Sequence, residues 1–441
     1  MYLAAMLENH NIDVTIIDTS FSQNWSMLKK NLQEIKPDFV GISSVTPMIT
    51  DAFKVADLVK NLNSDCTTIL GGPHATVVDV VNPNIDFCVF GEGESTLLEL
   101  IREIEAGNDV SIVKGIYYKD RDALIRTPPR SPIEDLSELP FPAWHLLPTR
   151  EQYFKVNGRS GILIASRGCP FNCTYCQPTL RKLFGSKVRF RKPENVVDEI
   201  EMLVKHYDIQ EFFFHDDTFT FNKGWVKELC DLIIERDIRL PWGCNSRVNT
   251  VTRELLKTMK RAGCTGLSLG VESGSQEILD KALRKGIKLS EVKSAFKLCK
   301  EEGINTKAFL MLGSPFETTE SLRSTIQLIR EIKPDRIDVS RTTPLPGSDL
   351  FTLSKQLGIL NMDENSWTDY YYRDLSTLPL KVGVTNEEIM RTQNKLYVIN
   401  TINVIFSFRF IKKVIKSTKH PIIAISRAGY FIKEFLIRTQ K

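Results

Sequence analysis

Apolar and polar positions along this chain repeat at two periods. Short runs rich in Val, Ile and Phe, bounded by glycine, proline or acidic residues, read as strands. Between them lie longer stretches whose apolar residues recur at the helical period. Over 223–236, for example, Trp225, Leu229, Leu232 and Ile233 form one apolar stripe. From Gly161 onward this reading gives strands over 162–165, 211–215, 242–245, 266–270, 306–311 and 336–340. Helices are predicted over 193–206, 223–236, 253–262, 275–283, 289–302 and 319–332. Six consecutive βα units predict a parallel barrel or partial barrel, with its active site at the C-terminal ends of the strands.

The first 120 residues show the same alternation. Strands are predicted over 14–18, 38–43, 67–70 and 87–90, and helices over 2–9, 50–62 and about 94–104. Strands alternating with helices argue for βαβ units and a parallel sheet. Gly71, Gly72 and Gly91 fall at strand C-termini, where backbone can approach a ligand in the crevice of such a sheet. Because the chain opens in a helix, the expected fold is a doubly wound domain lacking its first strand. Prolines at 128, 129, 132, 140 and 142 mark 121–158 as a connector packed along the surface. The full expectation is α/β: an N-terminal doubly wound, Rossmann-like (flavodoxin-like) domain over 1–120, the connector, a partial (β/α)6 TIM-type barrel over 159–345, and a helical C-terminal region over 346–441.

Composition changes this picture little until the C-terminus. The chain has 441 residues and a net charge of +4, yet 408–441 carry nine Lys/Arg against one Glu. The body is therefore net acidic, and a nucleic-acid partner is not expected. Ile411, Val414 and Ile415 alternate with Lys412, Lys413 and Lys416, the pattern of a basic amphipathic helix that packs on the barrel or touches an anionic membrane surface. No stretch reaches about 18 uninterrupted apolar residues, so no spanning helix is expected. No basic segment followed by an apolar run opens the chain, and the expected location is cytoplasmic.

Nine cysteines are present. Cys66, Cys88, Cys230, Cys244, Cys264 and Cys299 sit singly in apolar patterns and read as small buried hydrophobes. Cys169, Cys173 and Cys176 crowd the loop Ser166-Arg167-Gly168-Cys169-Pro170-Phe171-Asn172-Cys173-Thr174-Tyr175-Cys176 after the first barrel strand. Three thiolates at this spacing can wrap an iron–sulfur cube and leave its fourth iron open. A zinc site would want a fourth Cys or His nearby, and none follows before His206.

C-x3-C-x2-C after a first barrel strand resembles the signature of the radical S-adenosylmethionine (SAM) superfamily. That resemblance implies a [4Fe–4S] cluster on Cys169, Cys173 and Cys176, with SAM chelated at the open iron. One-electron reduction then cleaves SAM to methionine and a 5′-deoxyadenosyl radical. It implies further SAM contacts at strand ends: Tyr175 beside the adenine (or packing beneath the loop), Asp216 or Asp217, Asn245, Arg247, Glu272, Ser273 and Gly313.

The stretches Gly41 to Pro47, Gly71-Gly72-Pro73-His74 and Gly91-Glu92-Gly93-Glu94 resemble the cobalamin-binding domain fused to many members of that superfamily. The implied corrinoid contacts are Ser44, Thr46, Gly71, Gly72, Gly91 and Glu92. The lower-ligand motif D-x-H-x-x-G is absent, and His10 reads as a helix-end residue. The implied function is cobalamin-linked methyl transfer to an unactivated centre of a small or lipid-like molecule, with a flavodoxin or ferredoxin as reductant. The alternatives are an oxidative cyclase of the anaerobic magnesium-protoporphyrin ester type and a non-catalytic cobalamin- or cluster-binding protein.

Overall fold

The computed structural model describes residues 1–19, 24–176, 178–361 and 379–405. Two sheets organise them. The first has the order β1 (Phe39–Ser43), β2 (Thr67–Gly71), β3 (Phe87–Val89), β4 (Ile116–Asp120), β5 (Ala123–Arg126). Neighbours β1, β2 and β3 run parallel, whereas β4 and β5 are antiparallel. The expected all-parallel sheet thus ends in an antiparallel hairpin, and β5 lies within the stretch read as connector. Its apolar content, Ala123-Leu124-Ile125 between charged residues, is too short to register as a strand on its own.

Helices cover both faces of this sheet. Adjacent residues of a strand point to opposite sides, so Leu70 packs with Ile49, Ala52 and Ala56 of α3 (Ile49–Leu62). Ile69 packs on the other side with Leu7 of α1 (Tyr2–Glu8) and Leu98 and Ile101 of α5 (Glu94–Glu105). Between α1 and α3 lies α2 (Trp25–Ile35), capped by Asn24, whose side-chain oxygen accepts from the Met27 amide. The short helix α4 (Pro73–Val77) follows β2. The predicted strand over 14–18 does not form. Val14, Ile16 and Ile17 partly bury their side chains in clusters that include Phe39 and Val40 of β1, but among the described residues the segment joins no ladder.

The connector is more deeply involved than expected. Leu136, Ala143 and Trp144 are buried, and Trp144 stacks on Phe154 of α6 (Arg150–Val156) at 5.4 Å, inside the main core. Next come β6 (Ser160–Leu163), the two-residue β7 (Ser166–Arg167), α7 (Pro178–Phe184) and β8 (Arg189–Phe190), with β7 and β8 paired antiparallel.

The second sheet is wholly parallel: β6, β9 (Glu211–Phe214), β10 (Trp242–Arg247), β11 (Cys264–Glu272), β12 (Asn305–Leu312), β13 (Arg336–Arg341). Its strands fall where predicted, and it ends after six strands as a partial barrel. The crossovers are α8 (Pro193–Tyr207), α9 (Lys223–Glu235), α10 (Arg253–Arg261), α11 (Leu289–Glu301) and α12 (Thr319–Ile332). The helix expected over 275–283 is instead a π-turn over Ile278–Ala282, a local widening common at functional sites. After the barrel come α13 (Asp349–Gln356) and α14 (Asn386–Ile405). The basic tail lies outside the described residues. Among the described residues, no helix is long and apolar enough to cross a membrane.

Candidate active site

Each strand of the partial barrel delivers its last side chains to one end, and a cavity of about 260 Å³ opens there. Cys169, Cys173 and Cys176 all line it. Their loop is shaped by Gly168 at φ +95°, where a Cβ would lie 2.2 Å from the Lys187 carbonyl oxygen, so only glycine fits. The loop is pinned from beneath. Thr174 donates its amide to the Leu283 carbonyl at 3.0 Å and its hydroxyl to the Ala282 carbonyl at 2.6 Å, both at the end of the π-turn. Burial raises the Cys169 thiol and, with Cys173 beside it, raises Cys176 to about 12. Bare, these groups stay protonated; a bound metal would displace the protons. Among the described residues, no three His, Cys, Asp or Glu side chains close around a single ion. Three soft donors that share a cavity without converging on one point suit a polynuclear cluster better than a mononuclear ion.

Beside the thiols stands a triad, two of its members buried, that the sequence only half revealed. Lys285 Nζ donates to Glu272 Oε1 at 2.9 Å and to the Tyr175 hydroxyl at 2.8 Å. Tyr175 in turn donates to the same carboxylate oxygen at 3.0 Å. Burial, then the Glu272 charge, pushes the Tyr175 phenol up, so it stays neutral. Glu272 sits at φ +65° beside a register shift between β11 and β12. A glutamate in the left-handed region is strained, and such strain gathers at functional sites. Gly270 is the cradle for the triad: a Cβ there would come within 2.6 Å of both Glu272 Oε1 and Lys285 Nζ.

The two aspartates after β9 divide their work. Asp216 also lines the cavity but is tied to the backbone below it, accepting from the Ala165 amide at 3.1 Å and from the Ser166 hydroxyl. Asp217 faces the cavity, and burial followed by the neighbouring Asp216 raises its carboxyl to about 7. Asn245 and Arg247 of β10 also line the cavity, Arg247 donating to Cys173 Sγ at 3.3 Å. Two expected residues stand apart from the lining. Ser273 points back into the chain, its hydroxyl oxygen accepting from the Ser275 amide at 3.1 Å. Gly313 serves the backbone turn after β12 at φ +83°. Lys285, Ser268 and Phe309 belong to the lining and were not foreseen.

At the C-terminal edge of the first sheet, the N-terminal candidates fall into one cluster. Thr46 Oγ1 lies 3.1 Å from Nδ1 of the buried His74, and the Ser44 amide donates to the Gly71 carbonyl at 3.1 Å. Burial drops His74 to about 4, so its ring is neutral. Gly72, at φ +93°, has no room for a Cβ between Ser43 and Ser44. Gly91, at φ +80°, would meet nothing within 4 Å, which leaves free space against the sheet edge for a ligand. Glu92 departs from its expected role. Its carboxylate is buried and taken up by Arg167, Arg189 and the Ile133 amide at 2.7–3.1 Å, so it ties the first sheet to the barrel.

Residues 163–329 match the radical SAM superfamily model and residues 1–101 match the B12 binding domain model. An uncharacterized methyltransferase of Pyrococcus horikoshii is 34% identical over 405 residues, covering 90% of this chain and 86% of that protein. The chain belongs to the radical SAM superfamily. Within it, the anaerobic magnesium-protoporphyrin IX monomethyl ester cyclase of Rubrivivax gelatinosus is 35% identical over 79% of this chain, which spans 64% of that protein. The radical SAM methyltransferase TsrM from Kitasatospora setae, solved with cobalamin and a [4Fe-4S] cluster, shares the fold at TM-score 0.71, with 17% identity over 90% of this chain and 85% of its own. Its superfamily makes this chain an enzyme that needs a reductant, rather than the non-catalytic binding protein held as an alternative.

Proposed function

We propose that the chain is a cobalamin-dependent radical SAM methyltransferase acting on an unactivated centre. The observation that carries this reading is the cavity that gathers three thiols, a buried lysine and a carboxylate at the C-terminal ends of parallel strands. Cys169, Cys173 and Cys176 would hold the cluster. When bound, the cluster and corrinoid supply an electron for cleaving SAM to methionine and a 5′-deoxyadenosyl radical, and a carrier for the methyl group.

The chain's own residues bind and orient. Lys285, fixed by Glu272 and Tyr175, presents an ammonium for the SAM carboxylate. Asp217 faces the cavity and accepts from the SAM amino group. Tyr175 offers its ring face to the adenine, and Asn245 offers an amide at the cavity wall. Ser44, Thr46, Gly71, Gly72 and Gly91 form the edge against which the corrinoid's nucleotide tail would lie. A one-electron reductant of the flavodoxin or ferredoxin class would feed the cluster, and the methyl acceptor is a small or lipid-like molecule.

The similarity to the cyclase favours a second reading, radical-initiated oxidation without methyl transfer. Anaerobically reconstituted protein, given SAM, reductant and methylcobalamin, tests the first reading. The methyltransferase reading expects 5′-deoxyadenosine together with corrinoid retained after desalting. Deoxyadenosine without corrinoid points to radical chemistry in which the first sheet is only a scaffold, and neither product sinks both readings.

A further inference from the structure

We propose that Arg247 sets the reduction potential of the cluster by hydrogen bonding to the sulfur of Cys173, acting as a positioning and tuning residue. The inference rests on the three thiols holding a cluster.

The guanidinium is immobilised on several sides. Nη1 donates to Cys173 Sγ at 3.3 Å. Nη2 donates to the Lys285 carbonyl oxygen. Nε reaches Asn249 Oδ1 at 3.4 Å. Its plane lies 3.6 Å from the ring centroid of Phe171, a residue of the same cysteine loop. With each of its three nitrogens donating one bond and only 6% of the residue exposed, the guanidinium is held fixed against the cysteine loop.

What the geometry offers is a permanent cation bonded to one cluster sulfur. Reduction adds an electron that is shared with the thiolate sulfurs, so the reduced state is the more negative one. A charge-assisted N–H···S bond in a poorly solvated site stabilises that state preferentially and raises the potential. The Lys285 carbonyl that Arg247 also holds belongs to the residue whose ammonium completes the triad. The arginine therefore ties cluster tuning to the geometry of the SAM end of the cavity.

The test uses the full chain, purified and reconstituted anaerobically, with the potential read by EPR-monitored redox titration in the absence of SAM. Arg247→Met is expected to make reduction harder by at least tenfold in the equilibrium constant, 59 mV for a one-electron couple. Arg247→Lys, which keeps the charge and loses the fork, should fall between Met and wild type. A merely structural arginine would lower iron content while leaving the remaining clusters at the wild-type potential, and that outcome overturns the proposal. Should the Met protein hold no iron, Arg247→Gln keeps a donor without charge: an intermediate lowering supports the proposal, and the wild-type potential rejects it. Wild-type protein that takes up no cluster would instead sink the underlying reading of the cysteines.

Discussion

A single thiol decides whether the proposed chemistry happens at all. Cys173→Ala removes one of three ligands from a loop held by independent contacts through Thr174. The expected result is loss of the cluster and of deoxyadenosine formation with an unchanged far-UV spectrum; iron analysis and product assay check both. Gly270→Ala acts more gently. Its Cβ would press on the ends of Glu272 and Lys285, which are flexible but mutually bonded. SAM affinity should fall by about tenfold, roughly 1.4 kcal/mol, with little change in stability, as equilibrium binding on reconstituted protein would show. His74 gives a pH prediction with a definite sign. Burial lowers its folded pKa to about 4 from 6.5, so the unfolded chain binds more protons between those values. Its contribution is present above pH 6.5 and is lost as pH falls toward 4, by roughly 3 kcal/mol at most. His74→Gln should therefore lose less stability than wild type between pH 6.5 and 4 in parallel thermal melts.

Elements explain why so much of this was legible beforehand. The barrel strands are parallel runs such as Glu211–Phe214 and Asn305–Leu312 that alternate buried and half-buried positions, and their helices carry clean apolar stripes. Local pattern suffices for such elements. The cysteine spacing is local too, and the six single cysteines are indeed buried. What failed depended on a partner elsewhere in the chain. The segment over 14–18 has strand composition and packs near β1, but makes no ladder with it. Lys285 follows Arg284 and precedes Gly286, which reads as a solvated turn until the π-turn swings it under Tyr175. The hairpin of β7 and β8 was invisible because each strand has only two residues. Yet that hairpin presents the cysteine loop, and Gly168 is its tightest point. Gly168→Ala must both leave a left-handed conformation and clear the Lys187 carbonyl. The expected outcome is a folded barrel that incorporates little iron, measured as iron per chain after reconstitution. Normal loading would show that the hairpin tolerates being opened.

At the scale of the molecule, the two sheets are joined beside the cluster loop by a buried set of four charges. Arg167 donates to Glu92 at 2.9 Å and to Glu94 at 2.7 Å, and Arg189 grips both oxygens of Glu92. All four are nearly inaccessible, with Arg167 also lying over the rings of Tyr2 and Phe184. The acids come from the turn after β3 and the start of α5, the arginines from β7 and β8. Arg167 stands two residues before Cys169, so any shift of the first sheet is felt at the cluster loop. Pairing buried charges contributes little net stability, but removing one partner strands the others and costs about 3–5 kcal/mol. Arg167→Met should therefore lower the denaturation midpoint sharply, because Glu94 loses its hydrogen-bonded partner and Glu92 keeps only Arg189. Adding Glu94→Leu removes the stranded carboxylate. The double variant should be more stable than the sum of the two single losses predicts, by an interaction energy on the order of 1–3 kcal/mol in a double-mutant cycle. Strict additivity would mean that the two side chains do not work as a pair. In that case the first sheet and the cysteine loop would have to be held in register by apolar contacts such as those of Ala4 and Ala5 with Ala143 instead.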